Sequence, residues 1–575
     1  MQNTERNNNR KISWRIVKKL SAAAIAIMLL CTGCAGSAAA DTSGAVTENT
    51  GTVTESTETV QVSNAASKSE QFTERDLSGD YDEKEAVKIS LSGSSASAES
   101  AASGVTIDGS TVTISAEGTY LFSGSLTDGQ IIVDADDTAK VQIVLDGASI
   151  TSSSSAALYV KSADKVFVTT ASGSENTLAN GGTFTAIDDS NIDGAVFAKD
   201  DITFNGSGSL TVTSPAGHGI VGKDDVKIAG GSLAITAAKH GVQANDSARF
   251  AAAEVTIEAG TDGVHVSDNA DEEAGTASDS YFYIADGNLE INAGDDGIHA
   301  DAQALVEGGS ITVSSSYEGL EALEITVSGG DIEVTATDDG FNAAGGNSSS
   351  SDSNAFGDDD WMGGKGGFPG GGGFSDGGSD GNISISGGSI RITAGGDGVD
   401  SNGSVDISGG TTVVQGPSQG DTSILDHNGS ASISGGTFIG TGGTGMGENF
   451  TSVENQGLIT VSTGSQSAGT TVTLTDADGN AIAEVTPELD FAAVYISTED
   501  MDPSGSYTLS AGSYSETMQL TDGVYGSISG GRGGMNGGRK DSGSEEMSGG
   551  PEAGHSGMRH GGDMSGGEAP DMMQN

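Results

Sequence analysis

An Asp-Gly pair followed by an apolar residue recurs along the chain, often about 22 residues apart. The acids directly before glycine are Asp262, Asp296, Glu318, Asp339 and Asp397, here named the acid column. If each repeat forms one coil of a stack, equivalent carboxylates lie about 4.8 Å apart and repel by about 3.5 kcal/mol at an effective dielectric near 20. Ca²⁺ relieves such repulsion by binding carboxylate and main-chain carbonyl oxygens. The spacing therefore predicts Ca²⁺ along this column.

The residue two places after each glycine should point outward, because the residue between them is apolar and should face the core. The residues at this position form a second row, which we predict to contact the bound ligand. Acids close to the acid column add to the predicted Ca²⁺ ligands. The predicted Ca²⁺ ligands are Asp262, Asp295, Asp296, Asp301, Glu318, Asp338, Asp339, Asp397 and Asp400. The predicted ligand-binding residues are His265, His299, Glu321, Asn342 and Trp361.

Two alternatives to calcium stay open. Asp-Gly is favourable turn chemistry in its own right, so solvent could screen these charges without any metal. His265 and His299 also permit a transition-metal site, although hydrogen bonding to a polar ligand is the interpretation we favour. Tyr317 and Phe341 are candidates to stack on sugar rings, but Phe341 occupies a position that equally fits the core.

The elements that must position these residues are short β-strands. Each repeat contains three β-branched runs of three to five residues with glycine at the corners, as around Gly230-Gly231 and Gly308-Gly309. A fixed period of this size is typical of a solenoid, and no stretch shows a sustained helical period. The sequence therefore predicts an all-β parallel β-helix of about ten or eleven coils, on the order of 50 Å long.

Composition limits the function classes. The 575 residues include 91 glycines and only 5% aromatics, and the formal net charge is −57. Such a chain is unsuited to nucleic acid or anionic lipid, which select Lys and Arg, and is suited to cations. The alternative is that acidity only keeps an exported protein soluble.

The N-terminus has the features of a bacterial lipoprotein signal. A basic stretch precedes the apolar run 20–30, and the following Leu30-Cys31-Thr32-Gly33-Cys34 resembles a lipoprotein box with Cys34 lipidated. An ordinary secretory signal cleaved near Ala38 to Ala40 is the alternative. Without residues 1–33 the chain has 18 basic and 80 acidic residues, a net charge of −62, and only Cys34. No cysteine pair then remains to form a disulfide.

Changes in composition predict the domain boundaries. A signal peptide covers 1–33, a flexible Ser/Thr/Glu-rich tether 34–85, and the β-helix 86–454, with a Gly-rich insertion at 345–381. A small antiparallel β-module with a hairpin at Asp478-Gly479 follows at 455–525. The Gly/Met-rich segment 526–575 is predicted to be disordered.

Several motifs together resemble one bacterial family. The Asp-Gly-aliphatic and Gly-Gly-Ser-Ile repeats, the Gly-rich aromatic insertion and the module from Gly479 to Leu509 resemble exported, calcium-binding, carbohydrate-binding β-helix proteins akin in fold to pectate lyases. The resemblance covers about 86–525. It implies a right-handed parallel β-helix, calcium at the coil edges and binding of cellulose-like or acidic, pectin-like polysaccharide without a shown reaction. His218 and His240 depart from the acidic pattern.

The predicted function is that of a monomeric, lipid-anchored protein on the outer face of the bacterial cell membrane, which binds polysaccharide through Ca²⁺. The first alternative is a calcium-dependent polysaccharide lyase, which needs a basic residue to remove a proton, or a hydrolase with paired acids. The second is a structural adhesin or matrix rod. Candidate lyase bases are Lys199, Lys223, Lys227, Lys239, Arg249 and Arg391.

Overall fold

The computed structural model describes residues 68–99, 103–188, 190–268, 278–344, 381–417, 422–445 and 447–528. Cys34, Trp361 and nearly all of the predicted insertion and tail lie outside these residues. Within them the chain forms 41 strands and two short helices, so the all-β prediction is confirmed.

The strands are arranged on three faces, A, B and C, which the chain visits in turn. A strand on one face pairs in parallel with the strand on the same face in the next pass, as Val264–Val266 does with the start of Ile298–Val306. On face A this pairing aligns the apolar residue after each repeat glycine. We use coil for one pass through all three faces. Several long strands bend from one face onto the next.

Face A comprises Thr111–Ile114, Gln130–Asp134, Leu158–Ser162, Gly194–Ala198, His218–Gly222, Val242–Ala244, Val264–Val266, the starts of Ile298–Val306 and Leu320–Val327, Phe341–Ala343, Val399–Ser401 and Leu425–His427. Face B comprises Val87–Gly93, the starts of Gly118–Leu126 and Lys140–Ser152, Lys165–Thr170, Asp201–Gly206, Asp225–Ile228, Ser247–Phe250, Tyr281–Ile284, the ends of Ile298–Val306 and Leu320–Val327, Asn382–Ile385, the starts of Val405–Gln415 and Ala431–Gly442, and Ser452–Val453.

Face C comprises the ends of Gly118–Leu126 and Lys140–Ser152, Glu175–Asn180, Ser209–Ser214, Ser232–Ala237, Glu254–Ala259, Asn288–Asn292, Ser310–Ser316, Asp331–Ala336, Ser389–Ala394, and the ends of Val405–Gln415 and Ala431–Gly442. Two antiparallel pairings begin the stack: Ser95–Ala98 pairs with Val87–Gly93, and Val105–Asp108 pairs with Thr111–Ile114.

The core is a strip of apolar side chains that point inward from all three faces. The residue after each repeat glycine is fully buried, as in Val264, Ile298, Leu320 and Phe341. Phe341 is therefore a core residue and not a sugar platform. Each coil thus contributes to one continuous hydrophobic cluster, which stabilises the stack by removing apolar surface from water.

The two glycine signals have different physical causes. The second residue of each Gly-Gly corner has a left-handed backbone conformation, with φ +78° at Gly309. Residues other than glycine rarely adopt this conformation. The Asp-Gly glycine needs space instead. A Cβ on Gly263 would lie 2.6 Å from the carbonyl oxygen of Gly297 and 2.4 Å from Ile291. The glycine of the Asp-Gly pair is therefore needed for close contact between coils and not for a left-handed turn.

The C-terminal module is antiparallel, as predicted. Val472–Thr475, Ala481–Val485, Ser506–Ala511 and Tyr514–Gln519 form a separate four-stranded sheet. Gly479 lies in the hairpin turn between the first two, with φ +83°. Its core forms a second hydrophobic cluster.

The module is joined to the end of the stack by further antiparallel pairing. Phe491–Thr498 pairs with Ala431–Gly442 on one side and with Gly457–Gln466 on the other, and Val524–Tyr525 adds to the edge. This pairing covers the last open edge of face C, which would otherwise expose unpaired main-chain groups.

The upper bound of the predicted tether is wrong. Residues 68–85 include the helices Lys68–Gln71 and Glu74–Leu77 and pack on face B. Asp76 is fully buried with its carboxylate 2.8 Å from the Lys165 ammonium, and the Asn205 amide donates hydrogen bonds to the carbonyls of Asp76 and Ser78. The segment has few apolar residues, so no periodic pattern revealed this docking.

Residues 526–528, which the sequence assigns to the predicted disordered segment, are among the described residues. The described residues continue to Ile528, which is buried. The side-chain Nδ2 of Asn449 donates to the main-chain carbonyl of Ile528 at 2.8 Å. The main-chain N–H of Ile528 donates to the side-chain Oδ1 of Asn449 at 3.0 Å.

None of the described helices is long and apolar enough to span a bilayer.

Candidate functional site

The acid column runs along the edge at which the chain enters face A. The main-chain N–H of each repeat glycine donates to the carbonyl of the column residue one coil further on, as from Gly241 to Asp262 at 3.0 Å and from Gly263 to Asp296 at 2.9 Å. The same bond reaches Glu318, Asp339 and Asp397. The column is thus stacked in register. Each of its carbonyls already accepts one main-chain hydrogen bond, so the side-chain oxygens are the less committed donors of the column.

The column carboxylates also bind main chain. One oxygen of Asp262 accepts from the N–H of Asp296 at 3.2 Å, and one oxygen of Asp296 accepts from the N–H of Glu318 at 3.1 Å. Asp339 accepts from the N–H of Asp397 in the same way. Each of these carboxylates therefore has a structural role at one oxygen and keeps the other for a further partner.

The column is more buried than the sequence predicts. Asp262 is 4% exposed and Asp296 is 9% exposed, whereas Asp339 and Asp397 are half-buried. Neighbouring imidazoles lie against the first two carboxylates. Screening by solvent, the alternative to a metal, therefore does not fit the first two members.

The second row is also stacked in register. Cα pairing connects His265, His299, Glu321, Asn342 and Asp400 in that order along face A. Two further members were missed because they do not follow an Asp-Gly pair: Gln243 precedes His265 and Asp426 follows Asp400.

Four imidazoles form a continuous pile beside the column, named here the histidine stack. His218 and His240 come from the glycine-preceding position, whereas His265 and His299 come from the second row. Adjacent ring centroids lie 4.8, 4.3 and 4.8 Å apart, and each adjacent pair of rings is stacked. Sequence spacing did not reveal the stack because its members occupy two different registers.

His299 is the positive member of the stack. It is 2% exposed, its Nδ1 contacts the Glu321 carboxylate, and its Nε2 lies 3.2 Å from Asp301. Burial alone would lower the pKa of His299, but hydrogen bonds to three carboxylates raise it well above the usual value. His299 is therefore a buried counter-ion, and its predicted role as an exposed ligand contact is wrong.

The remaining acids differ in how their charge is balanced. Burial tends to raise the pKa of Asp262, but hydrogen bonds from His240 and His265 hold it well below the usual range. In contrast, burial and neighbouring carboxylates raise the pKa of Asp339 and Asp397 to about 7 and that of Asp400 to about 6. Burial likewise raises the pKa of Glu318 to about 9. Among the described residues, no cation balances the charge of the far part of the column.

Within the part of the chain that the structure describes, four groups of donor atoms are close enough to share one metal ion. Two consist of carboxylates alone, and two include imidazoles; within each group the donor atoms lie within 4.8 Å of one another. The groups are Asp262–Asp295–Asp296, Asp339–Asp397–Asp400, His240–Asp262–His265 and Asp296–His299–Glu321. Three predicted ligands fall outside these groups: Asp301 contacts His299, Glu318 accepts from Asn342 at 2.8 Å, and Asp338 lies beside Tyr317.

Tyr317 is an exposed aromatic residue at this edge. It is 50% exposed, and among the described large hydrophobic side chains only Leu77 and Ile187 are also exposed. Its N–H donates to the carbonyl of Asp295 at 2.7 Å, and its carbonyl accepts from the N–H of Asp338 at 2.9 Å. Its hydroxyl hydrogen-bonds to the Asp338 side chain. An aromatic face is thus presented to solvent between two acids.

Two candidate lyase bases are remote from this edge. Lys227 is buried on face B with its ammonium 3.2 Å from Asp225. Arg249 also pairs with Asp225, at 2.9 Å, and donates to the carbonyl of Gln71 in the N-terminal segment. Neither side chain is placed to reach a ligand on face A.

Part of the chain is similar to proteins described as containing a carbohydrate-binding domain. Residues 108–355 match the family model described as carbohydrate-binding domain-containing protein. A protein of that name from Acetivibrio thermocellus is 38% identical over 136 residues, which are 23% of this chain and 48% of the relative. The chain thus spans about half the length of this curated relative. The range matched by the family model, residues 108–355, contains the histidine stack, Tyr317 and Asp339 but ends before Asp397.

A solved structure of a polysaccharide lyase-like protein from C. thermocellum, in a gadolinium derivative, is also similar to part of this chain. The two share 30% sequence identity over 43% of this chain and 94% of that chain, with a TM-score of 0.36.

Proposed function

We propose that this protein binds acidic or cellulose-like polysaccharide through Ca²⁺ held along the acid column, without transforming the polysaccharide. The observation that carries the proposal is the match of residues 108–355 to the carbohydrate-binding family model. The coils in this range also present Tyr317, a residue suited to a sugar ring, between Asp295 and Asp338. We infer that the coils form a right-handed parallel β-helix, since crossover connections between parallel strands are almost always right-handed.

The all-carboxylate group Asp339–Asp397–Asp400 is the best Ca²⁺ site in this proposal. Its donor atoms lie within 4.8 Å of one another, and carboxylate oxygens are the ligands that Ca²⁺ prefers. Burial, followed by the neighbouring carboxylates, raises the pKa of all three, and no positive group among the described residues offsets this rise. Ca²⁺ would supply that charge. The group Asp262–Asp295–Asp296 is a second candidate, although His299 already offsets part of its charge.

The proposed glycan path lies along the same edge. The exposed ring of Tyr317 offers an apolar face for a sugar ring, and its two acidic neighbours accept hydrogen bonds from sugar hydroxyls. Ca²⁺ between the column and a uronate carboxylate would link two anionic partners that otherwise repel. This bridging explains how a chain with a net charge of −57 could bind an acidic polymer.

The proposed location is the outer face of the bacterial cell membrane. The basic stretch, the apolar run and the box ending at Cys34 support export and lipid anchoring. The anchor would be the protein's contact with the membrane. The strongly acidic surface disfavours nucleic acid, and we propose that the chain acts as a monomer.

Retention in affinity gels that contain polygalacturonate or cellulose tests the proposal. We expect the protein to migrate more slowly with Ca²⁺ and to regain its free mobility with EGTA. Equal mobility in gels with and without glycan, at every Ca²⁺ concentration, would contradict polysaccharide binding and favour a structural rod. The ultraviolet absorbance of unsaturated sugar products should stay constant during incubation, and its increase would instead identify a lyase.

A further inference from the structure

The two central rings of the histidine stack give a donor chemistry that the proposed calcium sites lack, although they share Asp262 with the second calcium candidate. We propose that His240, Asp262 and His265 form a site for a first-row transition-metal ion of the Zn²⁺ class. The site would use one Nδ1 from each imidazole and one carboxylate oxygen. This inference does not rest on glycan binding.

The distances carry the proposal. The Nδ1 atoms of His240 and His265 lie 3.2 and 2.6 Å from the same oxygen of Asp262. Ligands about 2.0–2.1 Å from a tetrahedral zinc ion lie about 3.3 Å apart. The first distance already fits, and the second must open by roughly 0.7 Å. The two rings have the shortest centroid separation in the stack, 4.3 Å, with planes 16° apart.

The surroundings support three ligands and one open position. The second oxygen of Asp262 accepts from the N–H of Asp296 at 3.2 Å, which orients the carboxylate as outer-shell partners of metal ligands do. The His240 and His265 side chains are 20% and 16% exposed, so solvent can reach the site. A water molecule could therefore complete the four ligands of a tetrahedral ion.

The adjoining group serves as an internal comparison. Asp296, His299 and Glu321 also converge, but both nitrogens of His299 contact carboxylates and the ring is nearly inaccessible. That group already contains its own cation. In the His240–His265 pair, the Nδ1 of His240 accepts from the N–H of Asp262 at 3.3 Å and lies 2.8 Å from the Thr261 hydroxyl, so a metal ion would replace these two contacts. His299, in contrast, is already neutralised by carboxylates at both nitrogens.

The pair is also the better choice within the stack. His218, the next ring, is 5% exposed and its Nε2 lies 3.8 Å from Asp193, so it lacks a close carboxylate. Imidazole with carboxylate is a donor set typical of zinc sites, whereas Ca²⁺ selects oxygen alone. Excess Ca²⁺ should therefore compete poorly at His240 and His265.

Isothermal titration of the untagged chain with Zn²⁺, in buffer that contains excess Ca²⁺, tests the proposal. The background carries His555→Gln and His560→Gln, because these tail histidines are further possible ligands. We expect one bound Zn²⁺ per chain. His240→Gln or His265→Gln should weaken binding by more than about tenfold, since even outer-shell changes cost that much.

His427→Gln is the matched control, because His427 is a buried histidine on face A beside Glu448, at 3.3 Å. It should leave Zn²⁺ affinity unchanged. Loss of binding in this control with retention in the other two variants would overturn the assignment, as would the absence of Zn²⁺ binding in the background chain.

X-ray absorption by the Zn²⁺-loaded background chain gives a readout that does not require a folded site variant. We expect two imidazole ligands per zinc. A shell of oxygen ligands alone would overturn the proposal even if Zn²⁺ binds. Glycan retention in Ca²⁺ without added Zn²⁺ is measured in parallel, so that failure of either proposal can be distinguished from failure of the other.

Discussion

Asp262 accepts a hydrogen bond from the main-chain N–H of Asp296 in the next coil, at 3.2 Å. A residue of the acid column therefore stabilises the coil boundary at one oxygen while its other oxygen contacts His240 and His265. A structural role of the carboxylate between coils and a role as a metal ligand are therefore compatible, because each role uses a different oxygen. It also means that an Asn substitution keeps an oxygen for the N–H while it removes the charge. Asn variants are thus the informative ones.

Removal of calcium should make the protein less stable at neutral pH. Ca²⁺ bound to the folded chain adds stability by mass action, and the column repels itself without it. We expect differential scanning calorimetry at pH 7.5 to show a lower melting temperature in EGTA than in Ca²⁺. Mg²⁺ at equal concentration controls for ionic strength. Superimposable melting curves in Ca²⁺ and EGTA would argue against a calcium site.

The metal-free protein should lose stability as pH rises from about 4 to 7. An acid whose folded pKa exceeds its ordinary value stabilises the fold below that ordinary value, and the contribution disappears as pH rises through the folded pKa. Asp339 and Asp397 have pKa values raised from 3.8 to about 7 by burial. Melting temperature in EGTA should therefore fall across this window.

The double variant Asp339→Asn, Asp397→Asn should flatten that pH dependence and weaken Ca²⁺ binding together. The Asn side chains remove the repulsion, so we expect the EGTA melting temperature at pH 7.5 to rise. Asp331→Asn, on face C, is the matched control and should change neither property. An unchanged Ca²⁺ affinity in the double variant would show that the metal lies elsewhere.

The repeat itself was predictable, whereas the balance of charge at the site was not. Alternation of apolar residues and the glycine corners determine the strands, the core positions of Val264 and Phe341, and the stacked column. The docking of Asp76 on Lys165 joins residues 89 positions apart through one buried ion pair, which leaves no periodic signal. The histidine stack likewise joins two registers, so its geometry depends on side-chain conformations that spacing does not determine.

Tyr317→Ala should weaken glycan retention without affecting the fold. The ring is exposed, so its removal costs little core packing, but it removes the proposed stacking face. We expect the dissociation constant to rise about tenfold, equivalent to about 1.4 kcal/mol. Tyr317→Phe keeps the ring and should retain most binding. If the Phe variant loses as much as the Ala variant, the hydroxyl contact to Asp338, and not stacking, is the important feature.

Asp76→Ala should release the N-terminal segment from face B. The substitution leaves the largely buried Lys165 ammonium without its closest partner, and such a loss typically costs about 3–5 kcal/mol. Hydrogen exchange should increase in residues 68–85 before it increases in the coils. Lys68→Ala is the control, because it removes an exposed pair with Asp286 but keeps the bond from the Ala252 N–H to Asp286, and it should have a small effect. Unchanged exchange in the Asp76 variant would contradict the docking.

His299→Gln should destabilise the coils at neutral pH. Its pKa is raised well above 6.5 by Asp296, Asp301 and Glu321. Its charge therefore stabilises the fold fully below pH 6.5, and this contribution persists at pH 7 because it is lost only as pH rises through the raised folded value. Removal of the cation leaves buried carboxylates unpaired, which typically costs about 3–5 kcal/mol. Chemical denaturation at pH 7 should show this loss, and His427→Gln should show a smaller one.

Because the variant exposes uncompensated charge to a nearby cation, added Ca²⁺ should recover more stability in His299→Gln than in the unsubstituted chain. Equal recovery by Ca²⁺ in both proteins would indicate that His299 is not the counter-ion of this part of the column.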